Sequence, residues 1–381
     1  MKSIKIALGL LLGLLLCLGG NASAQDSIKI AALYNLTGGM SSLDGPSLKG
    51  AQLAVKQINA SGGLLGRPIE LLAPDGKTNQ QEIAIDAQRV LSQGVVAGIG
   101  QSDPTFVMAA APLFQEKGIP FLTSGATHPQ LPQWVGDCMF MTPFGDDDQS
   151  YAIADYSYDS LKARRVAVWT DNSMDFTKAL SGFFTQRFKE RGGSIVGEDV
   201  FMMGDTDFSA QIARLAAINP APDAVFISAI PSEAGITVKQ IREQGLDLPI
   251  ISGDGFDTPL VASVPGAALA NRVYFSTHTY LGDSRPEVTQ FIEDYRKEYG
   301  MAPENSFAPL GYDALNLVAD AIRRAGSTEP AKIREALAAT RGFKAVTGEI
   351  SYTRPSMVPP KPVSIVSVMN GKFKVEEIWR P

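Results

Sequence analysis

Ile28-Lys29-Ile30-Ala31-Ala32-Leu33, continued by Tyr34-Asn35-Leu36-Thr37-Gly38-Gly39, is the stretch whose reading decides the fold. Six mostly apolar residues form a buried-strand run, and the polar, glycine-rich loop after them leads into an amphipathic helical pattern. The same unit then recurs. Strand runs at 69–72, 95–99 and 120–122 alternate with helical patterns at 80–92 and 105–117, each closed by a glycine shortly after its end. The alternation breaks around 136–148. It resumes with strands at 166–169, 194–200, 224–227 and 249–251 and helices near 177–191, 208–218 and 233–244. Strand-helix alternation requires right-handed crossovers and gives parallel sheets covered by helices on both faces. Two such series predict two doubly wound α/β lobes with parallel central sheets.

The tail departs from this rhythm. After a strand run at 273–276 come helical patterns at 286–299, 306–325 and 331–339, an extended segment at 348–352, and two runs at 363–369 and 373–378 joined by Asn370-Gly371. Asn-Gly between extended runs is the strongest short signal for an antiparallel hairpin. The tail is too short for a third doubly wound domain, so it is expected to return and complete both lobes. The predicted lobes are 25–144 with 276–352 and 145–275 with 353–381, joined by three strand crossovers near Phe144, Phe275 and Tyr352 that form a hinge.

The N-terminus reads as a secretory signal at 1–24: Lys2 and Lys5, an apolar run, then Ala22-Ser23-Ala24 in small-x-small form. Cys17 follows Leu15-Leu16, a poor match to a lipoprotein signal, so it is expected to leave with the segment. The apolar run is shorter than the ~20 residues of a spanning helix, which predicts a soluble exported protein located in the periplasm. The 381-residue chain has 34 Lys+Arg against 40 Asp+Glu. An acidic balance without a basic footprint argues against nucleic acid as a partner. Cys138 is the one cysteine after the signal, which excludes an intramolecular disulfide there; with His128 and His278 as the only histidines, a thiolate or imidazole metal cage is excluded as well. No cofactor is expected, and a monomer is.

In open α/β sheets ligands bind beyond the carboxyl ends of the strands. The loops there are Gly100-Gln101-Ser102-Asp103-Pro104 and Thr123-Ser124-Gly125-Ala126-Thr127. A helix opening at Pro104 points free N–H groups and a positive dipole end at whatever lies beside Ser102, which favours an anion such as a carboxylate. The hydroxyls of Ser102 and Thr127 could complete that site. Spacing leaves another assignment open, in which Ser102 or Asp103 caps the helix and Thr127 satisfies a turn. The run Asp146-Asp147-Asp148 reads as a solvated helix N-terminus, and His128 as a solvated loop residue near the cleft mouth.

Over nearly its whole length after the signal, the chain resembles the type I periplasmic solute-binding proteins of ABC importers, in the branch that contains the leucine/isoleucine/valine-binding protein. Leu36-Thr37-Gly38, the 50–55 helix segment, Ile58-Asn59-Ala60-Ser61-Gly62-Gly63, Gly66-Arg67-Pro68-Ile69, Ala111-Pro112 with Gly118-Ile119-Pro120, and Asp171-Asn172-Ser173 carry the resemblance. It implies a ligand-carboxylate pocket on the first lobe at Ser102, Gly125 and Thr127. It implies an acid for a ligand ammonium at Asp254, within Ser252-Gly253-Asp254-Gly255; as a bare sequence feature, Asp before Gly is equally a turn residue. Positions that are often aromatic in the family align here with Leu43, Met174 and Ile230, while Phe307 keeps a ring. A shift of two residues would bring Phe176 in for Met174. The resemblance also implies a membrane permease as partner and lobe closure on a branched-chain or related aliphatic amino acid. An aromatic or aliphatic acid without an amino group, or a soluble role presenting ligand to a chemoreceptor or sensor, are the alternatives.

Enzyme chemistry on this fold finds little support in the residues. No Gly-x-Ser-x-Gly elbow occurs, no Gly-x-Gly-x-x-Gly opens the first helix and no Walker loop is present. Paired acids such as Asp254 and Asp257 remain, without a nucleophile or cofactor motif beside them. The chain is therefore expected to be a non-enzyme.

Overall fold

A computed structural model describes residues 26–353 and 356–381, so the signal reading and Cys17 lie outside the described residues. In chain order the first series is β1 Ile28–Leu33, α1 Ser41–Ala60, β2 Ile69–Leu72, α2 Gln80–Ser92, β3 Ala97–Gly100, α3 Pro104–Glu116, β4 Phe121–Thr123, α4 Leu131–Val135 and β5 Met139–Met141. The second is α5 Asp146–Asp159, β6 Arg165–Asp171, α6 Asp175–Glu190, β7 Ser194–Phe201, α7 Ser209–Ala217, β8 Ala224–Ser228, α8 Pro231–Glu243, β9 Ile250–Ser252, α9 Leu260–Ser263 and β10 Val273–Thr277. Helices α10 Pro286–Tyr299, α11 Phe307–Ala325 and α12 Pro330–Ala338 follow, then β11 Val363–Met369 and β12 Lys372–Trp379.

Strands β1 to β5 form one sheet in the order β2-β1-β3-β4-β5, parallel throughout. The other sheet runs β12-β11-β10-β9-β8-β6-β7. Its β7-β6-β8-β9-β10 part repeats the first topology in parallel register, and the hairpin β11-β12 extends it antiparallel to β10. The turn of that hairpin is Asn370-Gly371, with φ of 52° and 72°. Strand β5, within the stretch where the sequence alternation breaks, is a three-residue edge strand. A Met-Phe-Met run of that length carries no usable periodicity, and only pairing with β4 makes it a strand.

The chain passes between the sheets after β5, after β10 and before β11. Helix α11 returns to the first sheet and crosses α1 at close range. A Cβ built on Gly50 would stand 1.8 Å from the Ala308 carbonyl oxygen, and one built on Gly311 1.9 Å from that of Ser47. Only glycine allows the two backbones to meet this closely. Around that crossing Ile30, Leu48, Ala54, Ile99, Leu315, Val318 and Ile322 form a continuous buried core. In each sheet the topology reverses beside the first strand of its series, between β1 and β3 and between β6 and β8. Loops leaving these strands therefore diverge and leave a crevice at both places.

Candidate functional site

At the first reversal point the chain leaves β3 through Gly100 and Gln101. Gln101 holds a left-handed φ of 64°, costly for a side chain with a Cβ. Its carbonyl accepts from the Gly125 and Ala126 amides (3.2 and 3.1 Å) and from Thr123 Oγ1 (3.0 Å). One strained residue thus fixes the loop after β3 against the loop after β4. Asp103 caps α3, accepting from Thr105 N at 2.6 Å. That answers the capping question: Ser102 is not the cap, and its buried Oγ has no hydrogen-bond partner. The Thr127 carbonyl accepts from Asp146 N at 2.7 Å, while its buried Oγ1 is also without a partner.

Gly125 closes this wall. A Cβ there would lie 2.7 Å from Ser102 Oγ and 3.0 Å from the Phe307 ring, so Ser102, Gly125 and Phe307 are in immediate contact. Beneath them Asp44, on α1, accepts from Asn35 N (2.8 Å) and Asn35 Nδ2 (2.9 Å). Burial pushes its carboxyl up to about 7, partly offset by the Ser102 hydroxyl and the Asn35 bonds.

Facing this wall, Asp254 begins a 3-10 turn directly after β9 and is fully enclosed. Oδ2 lies 2.8 Å from His278 Nε2, and Oδ1 accepts from Gln149 Nε2 at 3.2 Å. The Asp254 amide donates back to Gln149 Oε1 at 3.1 Å, where Ser276 Oγ also donates at 3.1 Å. The same Gln149 Nε2 reaches Asp146 Oδ1 at 2.9 Å, since the two residues stand one helical turn apart on α5. Asp146 Oδ2 is buried and without a partner. Burial first, then the Asp254 carboxylate, raises the Asp146 carboxyl well above the usual range, and Thr127 and Gln149 oppose the shift. His278 stacks on Phe144 at 4.2 Å and meets Phe307 edge-on at 5.6 Å, which ties the acidic wall to the hydroxyl wall.

Leu43, Met174, Ile230 and Phe307 are all buried and belong to one contiguous apolar cluster, with Met40, Phe144 and Phe176. Leu43 and Phe307 come from helices on the first sheet, Met174 and Ile230 from the ends of β6 and β8 at the second reversal point. The register alternatives coexist: Met174 precedes α6, and Phe176 lies against Gly255, next to Asp254. A Cβ on Gly39 would come within 3.0 Å of Met203 Sδ and 3.5 Å of Ile230 Cδ1, so the first loop reaches the opposite wall. Asp175 N donates to Thr105 Oγ1 at 3.3 Å, joining the first turns of α6 and α3 across the cleft.

Two sequence expectations are corrected. Asp146 is no solvated helix end, because its helix starts beneath the Thr127 loop and its side chain is fully buried; Asp147 and Asp148 are partly exposed. His128 is not solvated either. It packs 4.2 Å from the Trp134 ring and accepts from Gln130 N at 3.2 Å through Nδ1, and burial lowers its pKa. Asp44, Gln149 and Met203, which adjoin these residues, were not singled out from the sequence, and Asp146 and His278 were not read there as part of the site. An acid inside the apolar stripe of α1, a Gln three residues after an acid, and a histidine just beyond the carboxyl end of β10 were the available signals.

The arrangement gathers unpartnered hydroxyls at Ser102 and Thr127 and an unpartnered carboxyl oxygen at Asp146 beside one contiguous apolar cluster. Residues 27–372 match the model of a family described as periplasmic binding protein. The Leu/Ile/Val-binding protein homolog 1 of Brucella suis is 28% identical over 348 residues, 90% of either chain. The leucine binding protein LivK of Thermotoga maritima has a structure similar to this one at a TM-score of 0.86 and 33% identity, covering 93% of this chain and 99% of that one. The branched-chain amino acid transporter substrate binding protein LivJ of Streptococcus pneumoniae, in complex with isoleucine, gives 0.87 and 31%, covering 93% and 100%.

Proposed function

The chain belongs to the periplasmic binding protein family, and we propose that it is the exported solute-binding component of an ABC importer, taking a branched-chain or related aliphatic amino acid between its two lobes. The observation that carries the reading is a set of buried oxygens without a hydrogen-bond partner, at Ser102, Thr127 and Asp146, beside one contiguous apolar cluster. Ser102 Oγ and Thr127 Oγ1 can donate to a carboxylate, and Asp146 Oδ2 can accept from an ammonium. Leu43, Met174, Ile230 and Phe307 suit an aliphatic side chain, with Met174 adapting to its shape. Residues on both lobes then gain charge-assisted bonds only when the lobes come together, so ligand favours closure, and the closed form docks on a permease. No bond is made or broken in the solute, and no cofactor takes part.

In this reading Asp254 acts with Asp146 instead of alone, because both Asp254 oxygens already have protein partners. That same observation supports a second reading, in which the solute is a carboxylic acid without an amino group and a protonated Asp146 donates to it. A thermal-shift screen of the processed protein against amino acids and against aliphatic and aromatic acids, with hits confirmed by calorimetry, separates them. Stabilisation by aliphatic amino acids supports the first; stabilisation only by acids lacking an amino group removes it and leaves the second. No shift with either class would remove both.

A further inference from the structure

The acidic wall holds more carboxylate than one ammonium needs. Asp146 and Asp254 share Gln149, and Asp257 is a further buried carboxyl that feels His278, engaged by Thr277 Oγ1 at 2.7 Å and Ser306 N at 2.9 Å. Into this group the fold inserts a single basic side chain. His278 leaves the end of β10, is fully enclosed, and is held flat by Phe144 on one face while Phe307 meets it edge-on. Its Nε2 lies 2.8 Å from Asp254 Oδ2 and so occupies that oxygen from within the protein. Asp254 Oδ1 is turned inward to the Gln149 amide. Of the two neighbouring carboxylates, therefore, only Asp146 presents an oxygen without a partner.

We propose that His278 is a specificity-determining residue: its ring nitrogen occupies the second oxygen of Asp254 from within the protein and so restricts the cleft to solutes with a single cationic group. The idea rests on reading the cleft as an amino-acid site. Its chemistry is that of negative selection. An ω-amino group entering beside Asp254 would have to displace a stacked, buried imidazole or remain unpaired in a low-dielectric space, and either course costs more than a neutral side chain does. His278 acts through Asp254, without a requirement that it touch the solute, and is in that sense a positioning residue.

The test compares wild type, H278A, H278Q and H278A/D254N as processed full chains, first with imidazole and methylammonium as probes and no amino acid present. Imidazole is expected to raise the melting temperature of H278A, to leave wild type unchanged, and to lose its effect in H278A/D254N. In the second arm each protein is titrated with the wild type's preferred neutral amino acid and with ornithine. Wild-type discrimination between them should narrow by about tenfold or more in H278A, return when imidazole is added, and persist in H278Q, which keeps a donor. A folded H278A that takes up neither probe and discriminates like wild type overturns the proposal. Should H278A not fold, His278→Met fills the ring's volume without a donor and carries the ornithine comparison in the same way. The probe arm is independent of the solute: if wild type binds only acids without an amino group, the functional reading falls while cation uptake by H278A still decides whether this is a cation place.

Discussion

Asp146 and Asp254, 108 positions apart in sequence, are bridged by one amide: Gln149 Nε2 is 2.9 Å from Asp146 Oδ1 and 3.2 Å from Asp254 Oδ1. The bridge makes the acidic end of the cleft a coupled unit. Asp254 is further held by His278, which leaves Asp146 Oδ2 as the open acceptor. The shift of Asp146 toward its protonated form then has a thermodynamic consequence for binding.

An empty cleft favours a proton on Asp146, and an ammonium placed against Oδ2 favours its loss. Binding of an aliphatic amino acid should release protons, read as a dependence of the calorimetric enthalpy on the ionisation enthalpy of the buffer. D146N should abolish the release and weaken binding by several kcal/mol, since it leaves a buried ammonium without its charged partner (~3–5 kcal/mol). A wild type with buffer-independent enthalpy for such a ligand would exclude this role.

S102A and T127A should each weaken binding of a carboxylate by ~1.5–3 kcal/mol, the range for hydrogen bonds to a charged group. Neither hydroxyl makes a well-formed hydrogen bond in the folded chain, though each lies by a buried carboxyl, Asp44 for Ser102 and Asp146 for Thr127, so the ligand-free proteins should lose less in melting than in affinity. Paired melting and titration experiments distinguish this from a structural role, which would lower both stability and affinity.

The stability of the empty protein should carry the signature of Asp44. Its folded carboxyl titrates near pH 7 against an ordinary value of 3.8, so the folded state binds the extra proton between these limits. The contribution is full below about pH 4 and is lost as pH rises through 7. D44N keeps an oxygen for the Asn35 bonds and removes the titration. Denaturant unfolding from pH 4 to 8 should therefore show D44N gaining on wild type with rising pH, on the order of a few kcal/mol. A difference that does not change with pH would show that Asp44 does not titrate in this window.

Two glycine substitutions with opposite signs contrast the crossing of α1 and α11 with an open helix face on α6. Gly311→Ala places a Cβ 1.9 Å from the Ser47 carbonyl oxygen and should cost roughly 3 kcal/mol by forcing the helices apart. Gly182→Ala, exposed on α6 with nothing within 4 Å, should stabilise by ~0.5–1 kcal/mol through helix propensity. Chemical denaturation of both variants measures the contrast.

Much of this was legible in advance. The bounds of α2 and α10, the hairpin at Asn370-Gly371 and the two wound series follow from hydrophobic period and turn chemistry, which are local properties. Strand β5 and the short α4 were not, because each is shorter than one readable period. Ser102 was named from its loop, and Gly125 and Phe307 from the resemblance, yet the strained Gln101 carbonyl that gathers the Ser102 and Gly125 loops is a feature without a sequence signal.

The sequence by itself determined the alternation that makes two open parallel sheets, and with it the strand ends where a cleft could form. Tertiary structure decided which polar groups in that cleft are spent and which are free. Asp103 caps its helix while Ser102 does not, and Asp254 is taken by His278 and Gln149 while Asp146 keeps an open oxygen. The physical reason is that periodicity and turn chemistry act between near neighbours along the chain. Hydrogen-bond satisfaction in a buried site is settled by groups from distant segments competing for the same partners after water has been excluded.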